Sequence, residues 1–394
     1  MTGRQKPYDV IVAGGGPAGS TAATLLAQHG HRVLLLEKDS HPRFHIGESM
    51  MPRIAPVMQR LGMDWGEGNL QKSGADFIDE QSGRQLFFPL QGRYRTYQIE
   101  RSEFDRKLFD NAIAQGVEGQ QQEKVLEVDC AQNGVEVRTE KNDYQGRYFI
   151  DATGRSALMG RRQRSIQRIE NLGRFALYRY FQVGHSPQLD DVFTTGNVKI
   201  LLADIGWLWL IPMVGRRLSI GLVVQQDKPK GIDQQDLYQQ YIDASPLLNT
   251  LLQDSSPLTE IKVEADFSYL NQRRYGLRHA CCGDAAGFLD PVFSSGVFFA
   301  VKTAEFIADR VHQGLQEDIE DDPQLHAIDD PTYQTGFRTM HLLIERFYCS
   351  RLIHNLVFEA DRHPRIKQEV TALLAGDLWQ ENNHFQQGLL RGRG

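Results

Sequence analysis

Tyr8-Asp9-Val10-Ile11-Val12-Ala13-Gly14-Gly15-Gly16-Pro17-Ala18-Gly19 is a short apolar run followed at once by a glycine-rich turn. An uninterrupted apolar stretch of this length reads as a strand buried on both faces of a parallel sheet. An alanine-rich helix is expected from about Ser20 to His29, then a β-rich run from Arg32 to Leu36 closed by Glu37. Together these make a βαβ unit with G-x-G-x-x-G and an acidic residue about 20 positions on. The glycines let the backbone approach a pyrophosphate at the helix N-terminus, and Glu37 can accept hydrogen bonds from an adenosine ribose. The glycine pattern alone is weak, because glycine-rich turns are common. With strand, helix and acid all in place, dinucleotide binding is favoured over a bare turn.

Two later segments select FAD over NAD. Arg147 to Ile150 reads as a strand ending in Asp151-Ala152-Thr153-Gly154-Arg155, and Ala280 to Cys282 as one ending in Gly283-Asp284-Ala285-Ala286. Small residues there admit backbone contact with a cofactor, and Asp284 can bond ribityl hydroxyls. Asp290-Pro291-Val292-Phe293-Ser294-Ser295-Gly296 then opens an amphipathic helix from Val297 to about Val311. Its first turn offers unpaired N–H groups and partial positive charge, which would stabilise an anionic reduced flavin or a halide. An ordinary N-cap by Ser294 or Ser295 is the plainer alternative.

Residues 166–269 carry alternating strands, including Leu218 to Val224 and Trp207-Leu208-Trp209-Leu210-Ile211-Pro212. Side chains two apart on a strand share a face. Trp207 and Trp209, two of only four tryptophans, therefore predict one aromatic wall. Taken alone, the pair would read as core. From about Pro331 the pattern turns helical, with Phe337, Met340, Leu343, Ile344, Phe347 and Tyr348 on one stripe that reads first as core, second as a pocket cap. The expected fold is α/β. A Rossmann-like FAD-binding domain spans 1–75, 98–165 and 270–325, a substrate-side sheet domain 76–97 and 166–269, and a C-terminal helical segment 326–394.

At 394 residues, 41% apolar and 24% charged, the chain is long enough for two or more cores. A net charge of −6 gives no general attraction to nucleic acid or anionic lipid. Arg161-Arg162-Gln163-Arg164 and Gln120-Gln121-Gln122 are expected to be solvated loops. Cys130, Cys281, Cys282 and Cys349 form no C-x-x-C, so neither a disulfide framework nor a metal site is expected. The adjacent Cys281-Cys282 point to a reduced, buried strand. With no signal-peptide pattern before the first strand and no apolar run of membrane length, a cytoplasmic protein without a membrane partner is expected.

From Tyr8 to about Trp379 the chain resembles the flavin-dependent halogenases, within the hydroxybenzoate-hydroxylase-like flavoproteins. The glycine motif, Gly47-Glu48-Ser49, Lys72-Ser73-Gly74-Ala75, Arg101 with Phe104-Asp105, Asp151 to Arg155, Trp207 to Pro212 and Gly283 to Gly296 carry the resemblance. The W-x-W-x-I-P and K-x-G-A elements discriminate best. The resemblance implies that reduced FAD from a separate flavin reductase, O2 and chloride or bromide give hypohalous acid, which a lysine relays to an electron-rich ring. It implies Lys72 as that lysine, Trp207 and Trp209 as the partition between flavin and substrate, and the amides around Ser295 and Gly296 as the halide site. FAD would be held by Gly14, Gly16, Ala18, Gly19, Glu37 and Lys38, by Ser49 and Arg101, and by Asp284, Pro291, Gly296 and Val297. A wall of this kind admits halide but stops a phenol or pyrrole from being hydroxylated directly. Burial of Lys72 would lower its pKa and raise the neutral fraction. A lysine taken at random is a solvated charge; the spacing from Ser49 and the following Ser73-Gly74-Ala75 favour the functional reading.

One departure narrows the branch. Tryptophan-type halogenases place a glutamate just before the Ser-Thr/Ser-Gly element, where this chain has Phe293. Asp-Pro-x-Phe-Ser-Ser-Gly-Val and the stretch Leu373 to Asp377 are similar to the branch acting on phenols and on pyrroles tethered to an acyl or peptidyl carrier protein. Two other readings stand beside this one: an FAD-dependent monooxygenase or dehydrogenase without halide use, and a non-catalytic flavin-binding module.

Overall fold

The computed structural model describes residues 6–90, 92–170, 172–225, 231–265, 268–349, 363–380 and 382–392. The side chain of Cys349, and the part of the expected C-terminal helical segment at 350–362, lie outside the described residues.

Strand Tyr8–Ala13 lies in the middle of an eight-stranded sheet, parallel to Val33–Leu36 on one side and to Asp143–Asp151 on the other. Glu118–Gln120 extends the sheet beyond Val33–Leu36, and His279–Cys281 extends it beyond Asp143–Asp151, both in parallel. Residues 10–13, 33–36 and 148–150 of its interior strands are apolar and buried because helices cover the sheet, chiefly Pro17–Gln28 with the long helix Gly296–Gln316 packed on it. The registers Ala13↔Leu36, Ala13↔Asp151 and Asp151↔Cys281 bring four strand ends to one edge. The glycine turn, Glu37, Ala152 to Gly154 and Gly283 therefore leave the sheet side by side, at the carboxyl ends where parallel sheets bind ligands.

A second eight-stranded sheet runs in the order Ser255–Pro257, Arg174–Val183, Arg217–Gln225, Gly206–Met213, Val198–Ala203, Gly74–Asp79, Arg84–Pro89, with Lys262–Ala265 also paired to Arg174–Val183. Alternation along Gly206–Met213 splits its side chains cleanly. Trp207, Trp209 and Ile211 join the main core with Phe77, Tyr178 and Tyr180. Leu208 and Leu210 face the other way, onto Leu237, Tyr238, Leu248 and Leu251 of the helices Gln234–Asp243 and Pro246–Leu252. A small two-stranded sheet, Leu70–Lys72 with Thr96–Gln98, adjoins the larger one at Ser73.

Several sequence expectations need correction. Arg161 and Arg162 belong to a helix, Leu158–Arg162, not a loop. Its cations stay solvated, so composition hides the backbone state. Gln120 ends a strand rather than opening a loop, because its register partner is Leu36. The first helix begins at Pro17, whose missing N–H costs nothing at a first helical position. The later helix spans Gly296–Gln316, longer than expected at its C-terminal end. The strand before Ala152 starts at Asp143, because its first residues pair antiparallel with Gly134–Thr139. Cys281 and Cys282 are buried, Cys281 as a strand residue and Cys282 just after it.

Candidate active site

Two glycines are dictated by close approach. Gly14 has φ 105°, and a Cβ there would sit 2.1 Å from the Ala152 carbonyl oxygen; at Gly19 it would sit 1.8 Å from the Gly14 oxygen. Gly16, by contrast, caps the helix Pro17–Gln28 without any side-chain hydrogen bond, and a Cβ there would meet only the Arg43 guanidinium at 3.3 Å. The helix N-terminus thus presents free N–H groups beside a cation, a cradle suited to a pyrophosphate. Glu37 is 3% exposed, and its oxygens accept from Gly15 N–H at 2.7 Å and Asp39 N–H at 2.9 Å, with Arg43 at 3.7 Å. It therefore shapes the turn from within. Lys38 lies outside this group, exposed and 3.9 Å from Asp39.

Arg101 is a clamp. It grips Asp105 through Nε at 2.9 Å and Nη2 at 3.1 Å, and donates through Nη1 to Ile46 O at 2.6 Å. That holds the segment carrying Gly47, Glu48 and Ser49 against the helix Arg101–Ala114. Asp284 is half-buried; burial pushes its carboxyl up to about 6, while Arg101 and Arg155 pull it down.

Lys72 is 2% exposed. Its Nζ donates to Ser49 Oγ at 2.8 Å and Met50 O at 3.2 Å, and no carboxylate pairs with it among the described residues. Thr96 donates to the same Met50 carbonyl at 2.7 Å. Desolvation alone lowers the ammonium pKa to about 7, so charged and neutral forms coexist near neutral pH. One residue before Ser49, Glu48 is equally buried and accepts from the Tyr180 hydroxyl. Burial raises its carboxyl, partly offset by that phenol.

The Trp207 and Trp209 rings are 2% and 5% exposed, with centroids 6.0 Å apart and planes at 50°. Tyr178 continues the aromatic row, 6.0 Å from Trp209. Trp209 Nε1 donates to Ser219 Oγ at 3.1 Å. Trp207 Nε1 donates to the Tyr348 hydroxyl at 2.7 Å. Lys72 and Tyr180 are thus tied to adjacent residues, Ser49 and Glu48.

At the start of Gly296–Gln316, neither serine caps. Ser295 makes no side-chain cap bond, and Ser294 sits at φ 57° immediately after the turn Pro291–Phe293, closing it. The plain N-cap reading fails, and the first-turn N–H groups of Gly296 and Val297 lack a side-chain acceptor from the cap residue. Pro291 is half-buried in that turn, held by Asp290, which accepts Val292 N–H at 3.0 Å. Phe293 packs edge-on to Phe347 at 5.7 Å and near Phe77 at 6.3 Å, an apolar setting hostile to a carboxylate.

Sequence reasoning passed over Arg43, Tyr180, Ser219 and the hydrogen-bonding part of Tyr348. Arg43 sits six residues after Glu37, and Tyr348 on a stripe read as core. Nothing in the local pattern marks either one; both act across tertiary contacts.

A family model described as FAD dependent oxidoreductase matches residues 9–163. The tryptophan 2-halogenase of Chondromyces crocatus is 32% identical over 358 residues, covering 86% of this chain and 67% of that protein. The pyrrole-2-carbonyl peptidyl-carrier-protein brominase of Pseudoalteromonas luteoviolacea is 31% identical over 328 residues, covering 79% of this chain and 78% of that protein. The solved structure of the flavin-dependent brominase Bmp2 superposes with a TM-score of 0.85 at 26% identity, covering 98% of this chain and 99% of that one.

Proposed function

The chain belongs to the flavin-dependent halogenases, an FAD-dependent oxidoreductase family, and from that premise we propose that it halogenates a pyrrole on a carrier protein, or a phenol, through Lys72. The observation that carries the Lys72 reading is its setting: a fully enclosed amine, without an acid partner among the described residues, at a pKa of about 7. The uncapped glycine-loop helix and Arg43 suit the FAD pyrophosphate, and the first turn of Gly296–Gln316 suits a halide near Ser295 and Gly296. When bound, reduced FAD supplies the activation of O2 that oxidises chloride or bromide.

The residues of the chain do the rest. Trp207 and Trp209 keep the ring to be modified from the cofactor while leaving passage for a small oxidant. Neutral Lys72 takes electrophilic halogen from hypohalous acid, forming N–X and releasing water. The ring carbon then attacks that halogen, the N–X pair returns to nitrogen, and the ring proton leaves. Met50 O and Ser49 Oγ hold Nζ in one place for both steps. A flavin reductase is the expected electron source. Phe293 argues for the pyrrole and phenol branch over free tryptophan, since its aromatic cage supplies no carboxylate. No helix among the described residues is long and apolar enough to cross a membrane.

The test combines the protein with FAD, a flavin reductase, NADH and chloride or bromide, with pyrrolyl-carrier and phenolic substrates. Halogenated product by mass spectrometry is expected, rising as pH passes 7 because the amine must lose its proton. Hydroxylated product alone would transfer the protein to the monooxygenase reading.

A further inference from the structure

The two wall tryptophans are held in different ways. Trp209 is tied inside its own sheet, to Ser219 on the neighbouring strand. Trp207 is held from outside it. The Tyr348 hydroxyl that accepts its indole N–H belongs to the helix Asp330–Cys349, and the same hydroxyl donates to Asp290, 3.0 Å from Oδ2 and 3.2 Å from Oδ1. A phenol oxygen has one proton and two lone pairs, so it can accept from an indole and donate to a carboxylate at once. The ring is itself pinned: the Arg174 guanidinium lies over it, 4.1 Å from its centroid. Arg174 is 3% exposed, and its Nε finds no hydrogen-bond partner among the described residues, so the stack on Tyr348 is a principal contact of that cation.

Asp290 is also the residue that caps the Pro291–Phe293 turn leading into Ser295 and Gly296. One phenol oxygen therefore joins the aromatic wall to the turn where the halide and flavin contacts are proposed. Burial lifts the Asp290 carboxyl only to about 6, so near neutral pH it is ionised and a strong acceptor. We propose that Tyr348 is a positioning residue: it sets the Trp207 indole relative to the Asp290 turn and so keeps the wall closed to everything but a small oxidant. The turnover readout for this role rests on the halogenase reading above.

Tyr348→Phe keeps the ring and the Arg174 stack while removing both hydrogen bonds. The four tryptophans give at most four indole N–H resonances, and the loss of one in Trp207→Phe identifies that of Trp207. In Tyr348→Phe that resonance is expected to shift and to exchange faster with deuterium, leaving the other three in place. Halogenated product per reduced flavin should fall about tenfold with a matching rise in hydrogen peroxide, as expected when a positioned group loosens, while FAD affinity stays unchanged. The loss in the Trp207→Phe/Tyr348→Phe double variant should not exceed that in Trp207→Phe alone. An unmoved Trp207 resonance, an unchanged ratio of product to peroxide, or additive losses would each overturn the proposal. If the wild-type protein makes no halogenated product, the halogenase reading fails, while the shift and deuterium exchange of the Trp207 resonance still decide whether Tyr348 positions Trp207.

Discussion

Among the described residues two lysines are buried beside the strand Gly74–Asp79, and they are treated in opposite ways. Lys199 is 8% exposed and sits 2.9 Å from Asp76 Oδ2, which also accepts from Asn197 at 3.1 Å. Its charge is neutralised by a carboxylate across the parallel pair Val198–Ala203 and Gly74–Asp79. Lys72, just before Gly74–Asp79, is more deeply buried and among the described residues has only a hydroxyl and a carbonyl. A carboxylate partner stabilises a buried ammonium; neutral acceptors do so less, and the proton becomes easy to lose. Burial alone therefore does not set Lys72 apart from Lys199; burial without an acid among the described residues does.

The largest effect should come from truncating the two lysines. Lys72→Ala is expected to lower halogenation by about 10³-fold with FAD affinity retained, measured as product per minute beside flavin titration. Lys199→Ala should lower stability with the specific activity of the folded fraction preserved. Equal activity losses in the two would erase the distinction between them.

Next in size is the acid. Asp76→Ala leaves Lys199 buried without its counter-charge and should cost about 3 kcal/mol, read from urea midpoints. A midpoint that does not move would show that Lys199 reaches water.

The third effect is in the pH dependence of stability. Lys72 loses its proton near pH 7 when folded but near its ordinary 10.5 when unfolded. Between those values the unfolded chain holds more protons, so the Lys72 contribution to stability rises with pH; below 7 the cost of the buried ammonium is complete. The stability advantage of Lys72→Met over wild type should therefore shrink by about 2 kcal/mol from pH 7 to pH 9. A constant difference would mean that Lys72 keeps its proton throughout this range.

Ser49→Ala should give the smallest change, about 1 kcal/mol in stability, because it removes one of two acceptors of Lys72. Its stronger signature should be a several-fold loss of rate. Loss of stability with full activity would make Ser49 only a packing residue.

The same contrast explains what could be read in advance. The glycine turn and Glu37 are legible because backbone approach leaves its mark in consecutive residues. The alternation around Trp207 and Trp209 is legible because a strand has period two. Tyr348 lies 141 residues from the Trp207 it holds, and Tyr180 lies 132 from Glu48. Those pairs depend on how a helix and a sheet are brought over the same edge, which no local pattern encodes. The helix at Leu158–Arg162 and the strand end at Gln120 were missed for a related reason: pairing and packing set their backbone, while their side chains read as solvated.

The sequence by itself marked out the glycine turn and the aromatic face, since each rests on residue types at short spacing, and the family resemblance singled out Lys72 as the candidate relay lysine. Tertiary structure decided which buried lysine lacks an acid and which tryptophan is anchored from outside its sheet. It also left the helix at Gly296 without a side-chain cap. Charge pairing and desolvation depend on distances of a few ångströms between segments far apart in the chain, and only the folded arrangement sets those distances.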